Sequence, residues 1–188
     1  IATRHSTRNF KPDMVPESLL EQVIEAGRLA PSGKRMNQNH FLVVRSPEVL
    51  EKLTLLVREE FAKMELTPET EENIIGAIKR AKKGDYVFRY NAPVLIIVAN
   101  KKNYGNNMAD VACAMENMML AANELDLGSC WINRAKETFE TPEGKALLAK
   151  WGLDPEKYIG VGYCILGYPA PNGTRTPGPR KAGYVLHV

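Results

Sequence analysis

Apolar positions recur along the chain with two different periods. Leu19, Leu20, Val23, Ile24 and Gly27 share one face of a helix, and Pro16 suits its first position. Pro31-Ser32-Gly33 ends that helix. His40 to Arg45 reads as a strand. Ser46-Pro47 then starts a second helix, with Ser46 as N-cap and an apolar stripe of Val49, Leu50, Leu53, Leu56 and Val57. Val94 to Ala99 is an unbroken apolar run between Pro93 and Asn100, as expected of a strand buried on both faces. Residues 65–90 differ. They are charged and hold few large apolar residues, and a short helix is predicted from Pro68 to Lys83. They read as a surface insertion or lid, or equally as an ordinary solvated helix.

Met108 to Leu127 is apolar nearly all the way round, which predicts a helix buried on most sides. Such a helix is either a central core helix or a dimer interface. Gly128 is expected to close it as the C′ residue. A short strand at Ser129 to Asn133, a helix at Pro142 to Trp151 and a strand at Tyr158 to Tyr168 follow. The tail, 169–188, is rich in Pro and Gly and ends in Tyr-Val-Leu-His-Val, a candidate edge strand. The element order is α, β, α, lid, β, α, β, α, β, tail. The expected fold class is α+β: a mixed, mainly antiparallel central sheet flanked by helices, in a single domain over 1–188 with the lid at 65–90.

Composition narrows the partners. The chain has 188 residues, 44% of them hydrophobic and 25% charged, which suits one globular domain with its own core. A net charge of +3 is too small to point to nucleic acid. No apolar run reaches the roughly 20 residues of a membrane-spanning helix. The first charges are not followed by the apolar stretch of a signal peptide, and the missing initiator Met points to a processed or missing N-terminus. Cys113, Cys130 and Cys164 are odd in number and widely spaced, so a reducing cytoplasm is expected, with inert core thiols and neither disulfide framework nor zinc site.

Familiar catalytic patterns fail. Gly27 to Lys34 is not a phosphate loop: it follows a helix, its spacing is wrong, and Arg35 stands where Ser or Thr would hold magnesium. Gly-x-Ser-x-Gly and His-Glu-x-x-His are both absent, so neither a nucleophile elbow nor a metal hydrolase is supported. Anion-binding groups do gather at both chain ends. Arg4, Ser6 and Arg8 alternate, so in an extended segment they point one way. Arg175, Arg180 and Lys181 lie in the tail. Two guanidinium groups and a hydroxyl can grip a phosphate. The alternative is that these residues only solvate mobile ends.

Four motifs, in order, resemble the nitroreductase family of flavin enzymes. Arg4-His5-Ser6-Thr7-Arg8-Asn9-Phe10 resembles its opening motif, and Ala30-Pro31-Ser32-Gly33 its second. Asp110 to Arg134, with Leu127-Gly128-Ser129-Cys130-Trp131-Ile132, resembles its central helix and following strand. Gly167-Tyr168-Pro169-Ala170 and Pro179-Arg180-Lys181 resemble its close.

The resemblance implies a homodimer with exchanged terminal segments and FMN at the interface. Arg4, His5, Ser6 and Arg8 would hold the FMN phosphate and ribityl chain, with Arg180 and Lys181 on the phosphate. Pro31, Ser32, Gly33 and Asn37 would reach the flavin of the partner subunit. The backbone around Cys130, Trp131 and Ile132 would line the isoalloxazine. The implied function is hydride transfer from NADH or NADPH, through FMN, to a planar acceptor such as a nitroaromatic or quinone. The alternatives are reductive dehalogenation, flavin destruction, or a flavin-binding protein without catalysis. The family usually has Asn where this chain has Arg35, and Gln where it has Asn37. Asn37 keeps an amide for the pyrimidine edge, and Arg35 adds a charge that could stabilise anionic reduced flavin. Tyr86, Phe88 and Tyr90 of the lid are candidates for substrate contact, the alternative being simple packing.

Overall fold

The apolar run at 94–99 forms the inner part of a sheet. In a computed structural model of the chain, the described residues are 1–133, 135–171, 173 and 183. The elements are α1 (Glu17–Arg28), β1 (His40–Val44), α2 (Pro47–Lys63), α3 (Glu72–Lys83), β2 (Val94–Lys101), α4 (Asn107–Glu124), β3 (Gly128–Trp131), α5 (Pro142–Lys150) and β4 (Tyr158–Gly167). The sheet order is β1-β2-β4-β3, and every named pair is antiparallel. The parallel component of the expected mixed sheet reduces, among the described residues, to an isolated bridge between Ser6 and Ser129.

Alternation along β2 divides the core in two. Val94, Ile96 and Val98 pack with Leu20 and Val23 of α1 and with Val111, Met115 and Met118 of α4. Leu95, Ile97 and Ala99 pack with Leu53, Val57 and Phe61 of α2, Ile78 of α3 and Leu148 of α5. Each large side chain fully buried in these layers contributes about 1.5–3 kcal/mol. At Gly162 the β4 backbone comes close to α4, since an added Cβ would stand 2.7 Å from Val111 and 3.0 Å from Met115. The register shift between Val98 and Ala99 lies opposite this point. No helix among the described residues is long and apolar enough to cross a membrane.

The α2 cap behaves as the sequence suggests, and α5 has a cap of the same kind. The Ser46 hydroxyl accepts from Val49 N at 3.3 Å, and that of Thr141 from Gly144 N at 3.2 Å. Elsewhere the ends differ. Helix α3 starts at Glu72 rather than Pro68, because the Thr70 hydroxyl accepts from Thr67 N at 2.8 Å and holds a turn instead. Helix α4 stops at Glu124. Asp126 takes the left-handed position at φ 56°, and Leu127 N closes on Ala122 O at 2.8 Å. Gly128 is therefore not the helix cap but the first residue of β3. Its missing Cβ makes room for Thr7, whose side-chain atoms would lie 2.7–2.9 Å away.

Two expectations need correction. Tyr86 and Phe88 do not present themselves to a substrate: they are buried in the core around α2, with Tyr86 5.2 Å from the Phe61 ring. Tyr90 is half-buried. Nor is α4 buried on most sides within one chain, for Met108, Ala109, Cys113 and Glu116 are exposed.

Gly144 and Gly76 should respond oppositely to alanine. A Cβ at Gly144 would stand 2.1 Å from Thr138 O and 2.6 Å from Phe139 Cα, backbone atoms that cannot give way. Gly144→Ala is expected to cost about 2 kcal/mol or more in urea denaturation. Gly76 lies inside α3 with nothing within 4 Å of an added Cβ. Gly76→Ala is expected to gain about 0.5–1 kcal/mol.

Candidate functional site

The N-terminal segment is extended and fastened by its backbone. Thr7 N donates to Ser129 O at 2.9 Å, Arg8 N to Gly173 O at 3.2 Å, and Lys11 N to Tyr168 O at 2.9 Å. The segment thus lies between β3 and the chain leaving β4. Thr7 and Phe10 are buried, Arg4 and Ser6 half-buried, and Arg8 exposed. Arg4 Nε lies 3.4 Å from a carboxylate oxygen of Glu116 on α4. His5 shares an imidazole nitrogen contact of 2.8 Å with Thr3 O. With Thr7, Asp126, Gly128, Ser129 and Pro169 it lines a cavity of about 150 Å³.

Pro31, Ser32, Gly33, Arg35 and Asn37 form a second group, between α1 and α4. The Ser32 hydroxyl donates to Asn37 Oδ1 at 2.9 Å and accepts from Asn37 N at 3.0 Å. Lys34, Arg35 and Asn37 all have left-handed backbones, with φ of 52°, 57° and 48°. Non-glycine residues hold such conformations only where their surroundings over-determine them. Gly33 N donates to Asp110 Oδ1 at 2.8 Å. A side chain at Gly33 would meet the Tyr104 hydroxyl at 2.3 Å. Ser32 and Asn37 also line a cavity of about 450 Å³ with Gly27, Ala30, Asn39 and Phe41.

The third group is on β3 and just beyond it. Cys130 and Ile132 are buried and Trp131 is half-buried. Ile132 N donates to Tyr163 O at 2.7 Å. Arg180, Lys181 and the rest of the closing motif at Pro179 lie outside the described residues, as does the candidate edge strand at the end of the chain.

The fold brings some of these groups together and separates others. The segment carrying Arg4, Ser6 and Arg8 runs beside Ser129 at the start of β3. The loop carrying Arg35 and Asn37 is tied instead to the first turn of α4. Thr7 packs against Gly128, just past the last turn of α4. Between those ends run 18 residues of helix, about 27 Å. Thr7 and the Arg35–Asn37 loop therefore lie at opposite ends of α4 within one chain, while Arg4 reaches back to Glu116 at the middle of the helix.

Sequence reasoning missed Asp110, Asn39 and Asn100. Asn39 Nδ2 donates to Asp110 O at 3.1 Å, and Asn100 Nδ2 to Asn39 Oδ1 at 2.8 Å. A carboxylate flanked by Ala109, Val111 and Ala112 at the start of the helix was the available signal.

The Nitroreductase family profile matches residues 1–168. The chain belongs to the nitroreductase family. A Methanothermobacter thermautotrophicus relative, named as a candidate NADH dehydrogenase/NAD(P)H nitroreductase, is 31% identical over 93% of this chain and 78% of its own length. The fold is similar to that of a Bacteroides fragilis nitroreductase with bound FMN. The TM-score is 0.85 and the identity 34%, over 98% of this chain and 94% of that one. A Desulfitobacterium hafniense nitroreductase with bound FMN aligns at a TM-score of 0.81 and 25% identity, over 98% and 95% of the two chains.

The thiols beside this nitroreductase-family site should be inert. Burial pushes the Cys164 thiol up to about 12, so at pH 8 only about one in ten thousand is thiolate. Cys130 is also buried. Neither is expected to react with Ellman's reagent at pH 8 in the native chain, and both should react in urea. Mass spectrometry of the labelled peptides checks this.

Proposed function

We propose that the chain is an FMN-dependent oxidoreductase that takes hydride from NADH or NADPH and delivers it to a planar acceptor, such as a nitroaromatic or a quinone, in two alternating half-reactions. The observation that carries this reading is the segment of Arg4, Ser6 and Arg8, fastened by backbone bonds to Ser129 of β3 and to Gly173. The FMN-bound nitroreductases aligned over 98% of the chain support it.

The donor set fits FMN. Arg4, Arg8 and the Ser6 hydroxyl suit a phosphate dianion, which charge-assisted bonds hold strongly. Arg180 and Lys181 would add to them. The contact of Arg4 with half-exposed Glu116 is no obstacle, since such a surface pair is worth about 0–1 kcal/mol. His5 would stand beside the ribityl chain. Asn37 carries an amide suited to the flavin pyrimidine edge, and Arg35 a cation beside it. Pro31, Ser32 and Gly33 would bring that loop to the ring, and the backbone at Cys130, Trp131 and Ile132 would wall it. Bound FMN supplies the electron carrier between nicotinamide and acceptor. The protein supplies binding, orientation and the fixed charge of Arg35.

A homodimer completes this site. Thr7 and the Arg35–Asn37 loop lie at opposite ends of α4, so a second copy with its α4 antiparallel would bring the Arg35–Asn37 loop of one chain towards the Arg4–Arg8 segment of the other. Exposed Met108, Ala109 and Cys113 on α4 support such a contact. We further propose that 1–188 forms one domain, with 65–90 part of it, and that its termini exchange between subunits. Three free cysteines support a cytoplasmic location.

The purified protein is expected to be yellow and to release FMN on denaturation; colourless protein that takes up no added FMN overturns the reading. Arg8→Ala is expected to weaken FMN binding at least about tenfold in fluorescence titration. Under anaerobic mixing, NADH or NADPH should bleach the flavin. Bleaching by neither would point to a flavin-binding protein. Sedimentation should give twice the chain mass of 21.0 kDa, with Cys113 alkylated more slowly in the dimer than after dilution to monomer.

A further inference from the structure

Asp110 is a costly residue for its position. It lies in the first turn of α4 and is 4% exposed, among Val111, Ala114 and Met115. A buried carboxylate is tolerated only where something holds its charge. The N-terminal end of α4 does part of this. Gly33 N does the rest, donating to Oδ1 at 2.8 Å, while Oδ2 is buried with no partner. Among the described residues, the hydrogen bonding of this side chain is thus directed entirely at the loop after α1. An apolar residue would pack here at lower cost, so packing alone does not account for an acid.

The other end of the loop is fastened to the same residue. Asp110 O accepts from Asn39 Nδ2 at 3.1 Å. Asn39 Oδ1 in turn accepts from Asn100 Nδ2 at 2.8 Å, and Asn100 is fully buried near the end of β2. Between the two fastenings stand the left-handed Lys34, Arg35 and Asn37. Three such residues close together persist only in a frame that holds them. Ser32 supplies one internal brace through Asn37. Asp110 supplies the frame, with its side chain on Gly33 and its carbonyl on Asn39.

We propose that Asp110 is a positioning residue for the flavin-edge loop: it fixes 33–39 from both ends and thereby sets how Arg35 and Asn37 meet the flavin. The second half of this statement rests on the FMN reading above, and the first half does not. Asp110 touches neither cofactor nor substrate in this scheme.

The test combines hydrogen exchange on the FMN-free full chain with FMN titration, using Asp110→Ala, Asp110→Asn, Asn37→Ala and the double variant D110A/N37A. In D110A the amides of Gly33 and Asn37 should exchange about tenfold faster, the loss expected for a charge-assisted bond. In D110N, whose amide oxygen can still accept from Gly33, the rise should be about threefold. D110A should weaken FMN binding about tenfold and shift the absorption of the bound flavin. In the Asn37→Ala background D110A should weaken it by less than about threefold, because residues acting through one loop are not additive. A merely structural role would lower stability without that non-additivity.

Unchanged exchange at Gly33 and Asn37 in D110A overturns the proposal, as does an undiminished D110A effect on FMN affinity in the Asn37→Ala background. If D110A does not fold, D110N decides: threefold faster exchange supports the proposal and unchanged exchange overturns it. If the unaltered chain takes up no FMN, the functional reading falls, and the exchange result still decides whether Asp110 holds the loop.

Discussion

A strand that is apolar on both faces must be covered on both, and β2 imposes this condition on the whole chain. Val94 to Ala99 leaves no side of the strand for water, so helices must lie above and below it. Helices α1 and α4 take one face, and α2, α3 and α5 take the other. The segment at 72–90 follows from the same demand. Its polar exterior gives it the look of an appendage, yet Ile78, Ala81, Tyr86 and Phe88 close the second layer.

The site arises where that arrangement leaves backbone to be satisfied. The N-terminal segment gains its place from hydrogen bonds with Ser129, Tyr168 and Gly173, on and beyond the last strands of the sheet. The loop after α1 gains its place from the first turn of α4. One helix therefore sets the positions of both groups at once. It also holds Thr7 and the Arg35–Asn37 loop at opposite ends, with Arg4 reaching Glu116 between them.

Much of the element order was legible because period and punctuation agree. Ser46-Pro47 starts a helix where the local chemistry says it should, a helix begins at Pro142 as read, and β2 stands where the apolar run stands. The misreadings share a cause. Gly128 looked like a helix cap because glycine commonly is one, but the left-handed turn fell to Asp126 and the glycine was needed for the approach of Thr7. Tyr86 and Phe88 looked available because their neighbours are charged. Residues distant in sequence decided each case.

What the sequence alone determined here is local: which segments are helical or extended, where the cap of α2 lies, and which motifs carry cations, hydroxyls and amides. Those properties depend on a residue and its near neighbours. The tertiary structure decided which face of α4 is covered, why an acid sits in its first turn, and which binding groups share an end of that helix. Asp110 and Gly33 stand 77 residues apart in sequence yet meet through one hydrogen bond. Contacts of that kind leave no period in the chain, because they exist only once the sheet has placed both partners.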